Sequence, residues 1–165
     1  MVKHLTNPLS DRPPPLGNLL AAASRRLAAE LDAGTAAAGF PDLRAAHAPL
    51  FQVIDPDGTR LTDLAARAGT TKQAMGETVK YLARHGYVEI AADPVDRRAR
   101  LVTLTEKGWG ALKAGVAIIE TFDRTLDELL GAAEVERLRT TLLAIIGGAG
   151  STASHGTEDT AVMRS

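Results

Sequence analysis

The sequence predicts a mostly α-helical protein with one small β-hairpin. Two helical patterns separated by a single glycine run from Leu61 to Gly86. Two short segments of alternating, β-rich residues follow directly, on either side of a turn. Apolar stripes at three- and four-residue spacing occupy both ends of the chain, and aromatic residues are few. Long helices should therefore flank a central unit of two helices and a hairpin.

The first helix is predicted over residues 16–38. Residues 1–15 are polar and end in consecutive prolines, which favours a mobile arm. The apolar stripe of the helix comprises Leu16, Leu19, Leu20, Ala23, Leu27 and Leu31. Gly39-Phe40-Pro41 then ends the helix, and Asp42 is placed to cap the next one.

A second helix is predicted from Leu43 to about Ile54, and it carries His47. Histidine in such a place can line a ligand pocket or sense pH, and it can equally be a hydrogen-bonded structural residue, which is the more frequent case. The other histidines show no metal-ligand spacing with it, so no metal site is predicted. After an Asp-Pro-Asp-Gly turn, Thr59-Arg60 is expected to add one rung of strand to the hairpin sheet.

The central pair of helices is predicted from the residues that begin and end each helix. Thr62 is a plausible N-cap for the first, and Gly69 sits where the chain must take positive φ between them. Thr70 and Gln73 have capping-box spacing, so the second helix should open there. It should end near His85, where Gly86 closes it.

The second of these helices has two faces. Its core face is predicted to hold Met75, Thr78, Val79 and Leu82. The opposite face is predicted to hold Lys72, Gln73, Gly76, Glu77 and Lys80. Glutamine can recognise an adenine edge in the major groove, and lysine can reach guanine or phosphate. An ordinary solvated helix face is the alternative.

The hairpin carries an arginine-rich tip. Residues 87–90 and 101–104 are the two strands, and Asp96, Arg97 and Arg98 lie in the turn between them. A guanidinium on such a tip can enter a narrow minor groove, where the negative potential is enhanced. Asp96 can pair with Arg98 and fix its direction. A solvated charged loop is again the alternative.

These segments together resemble the MarR family of winged helix-turn-helix transcriptional regulators. The resemblance rests on LTDLAARAG, TKQAM, LARHGYVE, DPVDRRA and LTEKG, and it extends over residues 16–147. It implies that Arg98 enters the minor groove and that the face of the second helix meets the major groove. Many relatives have a hydroxyl residue followed by Arg where this chain has Gly76 and Glu77.

Further expectations follow from the resemblance. It implies a homodimer, most often a repressor, on a roughly palindromic operator of double-stranded DNA. A small effector, often aromatic or phenolic, is expected to bind between the dimerisation and DNA-binding halves. The residues expected to contact mainly phosphate are Thr70, Thr71, Lys80, Arg97 and Arg100.

The carboxy-terminal part is predicted to be helical up to residue 147. Thr105 can cap a helix from Glu106 to about Leu130, Gly131 interrupts it, and a last helix follows. We assign residues 16–38 and 109–147 to dimerisation, because their apolar seams are longer than one small domain needs. The winged helix-turn-helix takes residues 42–108, and residues 148–165 are expected to be a disordered tail.

Composition narrows the functional classes. There is no cysteine, which excludes disulfides and thiolate chemistry, and no stretch reaches the ~20 apolar residues of a membrane span. Residues 60–107 hold nine Lys/Arg and six Asp/Glu, a net charge of +3 in a chain of net charge −1. No phosphate loop or nucleophile motif is present, so we expect a protein that is not an enzyme and needs no cofactor. The first residues lack an apolar signal core, so we expect the protein to be cytoplasmic. A winged-helix protein-interaction module and a sequence-independent architectural DNA binder remain the alternatives.

Overall fold

The computed structural model describes residues 13–93 and 100–148 of the chain. The helices are α1 (Leu16–Ala37), α2 (Ala48–Val53), α3 (Leu61–Arg67), α4 (Lys72–Arg84), α5 (Glu106–Leu130) and α6 (Ala132–Gly148), and the strands are β1 (Thr59–Arg60), β2 (Val88–Ala92) and β3 (Arg100–Leu104). The predicted mostly α-helical chain with a small β-hairpin is confirmed. Internal contacts divide the chain into two compact units, with the boundary between Phe122 and Asp123.

The turn between α3 and α4 is built on Gly69, which has the predicted positive φ of 63°. The amide of Thr70 donates to the carbonyl of Ala65 at 3.0 Å and so completes the end of α3. The prediction that Thr70 caps α4 was therefore wrong by one residue. Thr71 is the N-cap, and its hydroxyl accepts a hydrogen bond from the amide of Ala74 at 3.1 Å.

Two other predicted caps, Thr62 and Asp42, were wrong, because Arg60 is at the cap position of α3 and Arg44 and His47 are at those of the two helical segments after Asp42. α3 begins at Leu61, directly out of β1, so Thr62 lies inside its first turn and Arg60 occupies the cap position. The predicted helix over residues 43–54 is a 3-10 turn at Ala45–His47 followed by the short α2. Pro49 has no amide hydrogen and is tolerated only in a first turn, which sets the late start of α2.

The three strands form an antiparallel sheet in the order β1-β3-β2. Val102 of β3 lies opposite Thr59 on one side and Ile90 on the other, which confirms the predicted rung at Thr59-Arg60. The inner face of the sheet packs with α2, α3 and α4 around a core whose largest fully buried side chains are Leu50, Leu64, Leu82, Tyr87 and Val102. This core holds α4 with its opposite face in solvent.

A tight joint connects the end of α4 with the start of α5. The hydroxyl of Thr105 donates to the carbonyl of Gly86 at 2.7 Å and accepts from the amide of Gly108 at 3.0 Å, which confirms Thr105 as the cap. The amide of Thr105 also donates to the carbonyl of Tyr87 at 3.1 Å. A Cβ added at Gly108 would overlap that same carbonyl oxygen. The first turn of α5 therefore needs glycine at residue 108.

The second unit contains the end of α5 and α6, with Gly131 at φ 86° between them. Arg139 of α6 lies 3.7 Å from the Asp123 carboxylate, and Val135 is buried. Leu143 and Ile146 are, in contrast, 62% and 72% exposed. In the part of the chain that the structure describes, no helix is long and apolar enough to cross a membrane.

We predict that Gly108→Ala destabilises the protein, because the new methyl group would have to displace the Tyr87 backbone. Overpacking of this kind costs about 1–3 kcal/mol, measured as the free energy of unfolding in urea. Gly115→Ala in the same helix is the matched control, since a Cβ there meets nothing within 4 Å. The control should be neutral or up to about 1 kcal/mol more stable. Equal effects of the two changes on the free energy of unfolding would contradict the requirement for glycine at residue 108.

Candidate nucleic-acid interface

The exposed face of α4 carries four of the five residues predicted for it. Lys72, Gln73, Glu77 and Lys80 are exposed, whereas Met75, Val79 and Leu82 on the other side are buried. Thr78 is only half-buried, and its hydroxyl donates to the carbonyl of Ala74 at 3.2 Å. α4 therefore presents one polar face, fixed in direction by the core beneath it.

Gly76, the fifth of these residues, is half-buried, but it is four residues from both Lys72 and Lys80 and so lies on the same side of α4. A Cβ there would lie 3.8 Å from the side chain of Leu61 in α3. That separation is an ordinary van der Waals distance. Packing inside the protein therefore does not require glycine at residue 76.

Glu77 and Lys80 form an ion pair on the exposed face, with 2.8 Å between carboxylate oxygen and ammonium nitrogen. The hydrogen bond from Lys80, together with its charge, lowers the pKa of Glu77 below its ordinary value. Glu77 therefore remains ionised at neutral pH and acts only as a hydrogen-bond acceptor.

Thr70 and Thr71 are exposed at the amino-terminal end of α4. The Thr71 hydroxyl oxygen accepts from the Ala74 amide, so its hydrogen can still point outward and donate. Backbone amides and hydroxyls at a helix amino terminus suit an anionic phosphate. This end of α4 is thus chemically matched to a nucleic-acid backbone.

The hairpin tip, residues 94–99, lies outside the described residues, and with it Asp96, Arg97 and Arg98. Arg100 is described: it is exposed at the start of β3 and pairs with Ala92 of β2. The base of the hairpin is held by Asp93, which is 5% exposed and accepts a hydrogen bond from the Arg60 Nε at 2.9 Å. Sequence analysis missed this pair, because a separation of 33 residues has no local signature.

His47 is a structural residue of the segment before α2. Its Nδ1 accepts a hydrogen bond from the Arg44 amide at 3.1 Å, and its ring stacks on Tyr81 of α4 with 4.8 Å between centroids. Burial lowers the pKa of His47, and the Arg44 guanidinium lowers it further. On the other side of Tyr81 lies His85, at 4.2 Å. The more frequent role of such a histidine is therefore the one observed.

A cavity of about 200 Å³ lies in the first unit, between α1, α5 and the segment around α2. Its walls are almost entirely apolar and are lined by Leu31, Thr35, Leu43, Arg44, Ala45, Ala48, Phe51, Gln52, Ala111, Leu112, Gly115, Val116 and Ile119. Ala48, which follows His47 in the chain, is among these residues, while His47 itself stacks on Tyr81. Such a space suits a small apolar molecule.

Comparison with known proteins gives a consistent result. A family model described as "MarR family" matches residues 42–99. The chain is 32% identical over 93 residues to the transcriptional regulator HosA of Escherichia coli O111:H-, which covers 56% of this chain and 67% of that protein.

Solved structures agree in fold. The repressor CouR bound to a 23-mer DNA duplex has a TM-score of 0.69 at 24% identity, covering 80% of this chain and 92% of that one. CouR from Rhodococcus jostii RHA1 bound to p-coumaroyl-CoA has a TM-score of 0.65 at 22% identity, covering 93% and 100%. The predicted winged helix-turn-helix fold is thereby confirmed.

Proposed function

The chain belongs to the MarR family of transcriptional regulators, and on this premise we propose that it is a homodimeric repressor of a roughly palindromic operator, released from DNA by a small molecule. The observation that carries the proposal is the polar face of α4, which the core fixes outward and which holds Gln73, Glu77 and Lys80. Regulation of this kind requires no catalytic residue and no cofactor. The protein works where the DNA is, in the cytoplasm.

The proposed contacts with DNA are of two kinds, contacts with the base edges in the grooves and contacts with the phosphates. In the proposed complex the two copies of α4 enter successive major grooves, with half-site centres about 10–10.5 bp apart. Lys72, Gln73 and Glu77 face the bases there. Lys80, which the resemblance assigns mainly to phosphate, is placed at the bases instead because it is paired with Glu77. Arg98, aligned by Asp96, enters the flanking minor groove. Phosphate contacts come from Thr70, Thr71, Arg97 and Arg100, and they set the register without recognising sequence. The net charge of +3 over residues 60–107 suits this surface.

The homodimer is supported by apolar side chains left in solvent by a single chain. In α1, Leu16 and Leu19 are 63% and 50% exposed, and in α6 Leu143 and Ile146 are 62% and 72% exposed. Exposed apolar patches of this kind mark protein interfaces. We assign α1 and residues 109–147 to dimerisation and residues 42–108 to DNA binding.

The effector site is proposed to be the apolar cavity of the first unit. Its volume of about 200 Å³ fits a molecule with one substituted aromatic ring. α5 forms one wall of the cavity and also begins at the joint with α4, so a ligand that moves this wall can change the direction of α4. The ligand weakens DNA binding only if it prefers the conformation that fits DNA less well.

We predict that the purified protein captures fragments of genomic DNA that share one short palindrome, and that Arg98→Ala loses this enrichment while remaining folded. The reason is the loss of a charge-assisted minor-groove contact in each subunit. Sequencing of the captured DNA and circular dichroism are the two measurements. Enrichment that is equal in both proteins would refute the role of Arg98. Capture without any shared motif would favour an architectural DNA binder, and no capture would favour a protein-interaction module.

We predict a dimer by light scattering at micromolar concentration, and a monomer for Leu143→Asp combined with Ile146→Asp. Both side chains are exposed in the single chain, so the charges should disrupt the subunit contact without unfolding α6. Thr140→Asp adds a charge at another exposed position of α6 and is the control. A wild-type monomer would exclude a model with two half-sites.

We predict that Gly115→Leu blocks the effector site. It should leave operator affinity within about twofold of wild type, a change below about 0.5 kcal/mol, because residue 115 is not on the polar face of α4. Gly115 lines the cavity, and a side chain there enters open space. The measurement is the shift in Tm and the release of DNA with a panel of phenolic and aromatic acids. At 100 times its Kd, a bound acid stabilises the protein by about 2.7 kcal/mol.

The matched control for that experiment is Ala117→Leu, which adds the same side chain at an exposed position of α5. It should respond to the acids as the wild type does. A compound that acts equally on wild type, Gly115→Leu and Ala117→Leu would place its binding outside the cavity.

A further inference from the structure

The Glu77–Lys80 pair lies on the exposed face of α4. The carboxylate oxygen and the ammonium nitrogen are 2.8 Å apart, and the two side chains are 68% and 67% exposed. Gln73 lies one turn before Glu77, and Arg84 lies one turn after Lys80. An acceptor and a donor are therefore presented side by side where α4 would face the bases.

An ionised carboxylate at this place restricts what can lie opposite it. Phosphate oxygens at neutral pH offer it no hydrogen to accept and repel its charge. The only strong donors on base edges in the major groove are the amino groups, N4 of cytosine and N6 of adenine. Glu77 is thus suited to a base and unsuited to the backbone.

The two amino groups differ in their neighbours. Adenine N6 lies between two acceptors, N7 of adenine and O4 of thymine, and both would repel the second carboxylate oxygen. Cytosine N4 has acceptors on one side only, O6 and N7 of guanine, which form the strongest acceptor pair in the groove and suit lysine. An adjacent carboxylate and ammonium therefore match the edge of a G·C pair in both sign and order.

We propose that Glu77 and Lys80 act as one unit that recognises a single G·C base pair in each half-site. Glu77 accepts from cytosine N4, and Lys80 donates to guanine O6 and N7. The inference rests on the proposed function, because it assumes that α4 enters the major groove. It also explains an acidic residue on a DNA-facing surface: the carboxylate lowers affinity for arbitrary sequence and raises the penalty for a wrong base.

The test is selection from a pool of randomised duplexes by the full chain and by Glu77→Gln. A carboxamide can pair with N6 and N7 of adenine, so we expect Glu77→Gln to move the preference at one symmetric position from G·C to A·T. Replacing that pair by A·T should weaken wild-type binding about tenfold or more and should strengthen binding by Glu77→Gln. Lys80→Gln should lose the preference for guanine at the same position.

The control is Glu134→Gln, which breaks an i,i+3 ion pair of the same kind with Arg137 in α6. It should select the same motif as the wild type. A palindrome that is enriched identically by wild type and Glu77→Gln would overturn the inference and leave the proposed function standing. No enriched motif for the wild type would overturn both. Circular dichroism establishes that each variant is folded.

Discussion

The first turn of α5 lies so close to the backbone of Tyr87 that residue 108 has room for a hydrogen atom but not for a methyl group. Around this contact, Thr105 uses its hydroxyl twice, once toward the carbonyl of Gly86 and once toward the amide of Gly108. The chain leaves α4 at Gly86 and returns from β3 at Thr105. The joint therefore connects the end of α4 to the start of α5, the longest helix among the described residues.

The cavity walls are connected to α4 in two separate ways. One wall belongs to α5, whose first turn is fixed at the joint. Another belongs to the segment around α2, where His47 stacks on Tyr81 of α4 and the Tyr81 hydroxyl donates to the Asp42 carbonyl at 2.9 Å. In the proposed regulator, a ligand that separates these walls acts on α4 both at its end and along its side. Packed contacts of this kind favour two discrete arrangements over a continuous range.

Local chemistry in the sequence was enough to predict the elements that depend on neighbouring residues. Gly69, Gly86 and Thr105 have the roles expected of them, because a positive φ or a helix cap is determined within a few residues. The prediction that Thr70 caps α4 was wrong because the same residue also suits the end of α3. Its amide completes the hydrogen bonds at the end of α3, and α4 begins one residue later than predicted.

What the sequence could not predict depends on the three-dimensional arrangement. The Arg60–Asp93 pair joins residues far apart in the chain, and the requirement for glycine at residue 108 appears only when Tyr87 is placed beside it. The nearness of Gly76 to Leu61 of α3 also depends on how the two helices pack, which the pattern within α4 does not contain. The tip residues Asp96, Arg97 and Arg98 remain predictions. For Lys72, Gln73, Glu77 and Lys80 the structure gives their exposure, and their contacts with bases remain predictions.

The chain contains a single tryptophan, and it follows Gly108 directly. Trp109 is partly buried against the core, its amide donates to the Thr105 carbonyl at 2.9 Å, and two residues later the helix begins to line the cavity. Trp109 thus stands in α5 between Gly108 of the joint and Ala111 of the cavity wall, and no other indole contributes to the emission of the protein. Fluorescence from unlabelled protein is therefore an optical signal from the very place where ligand and DNA would be coupled.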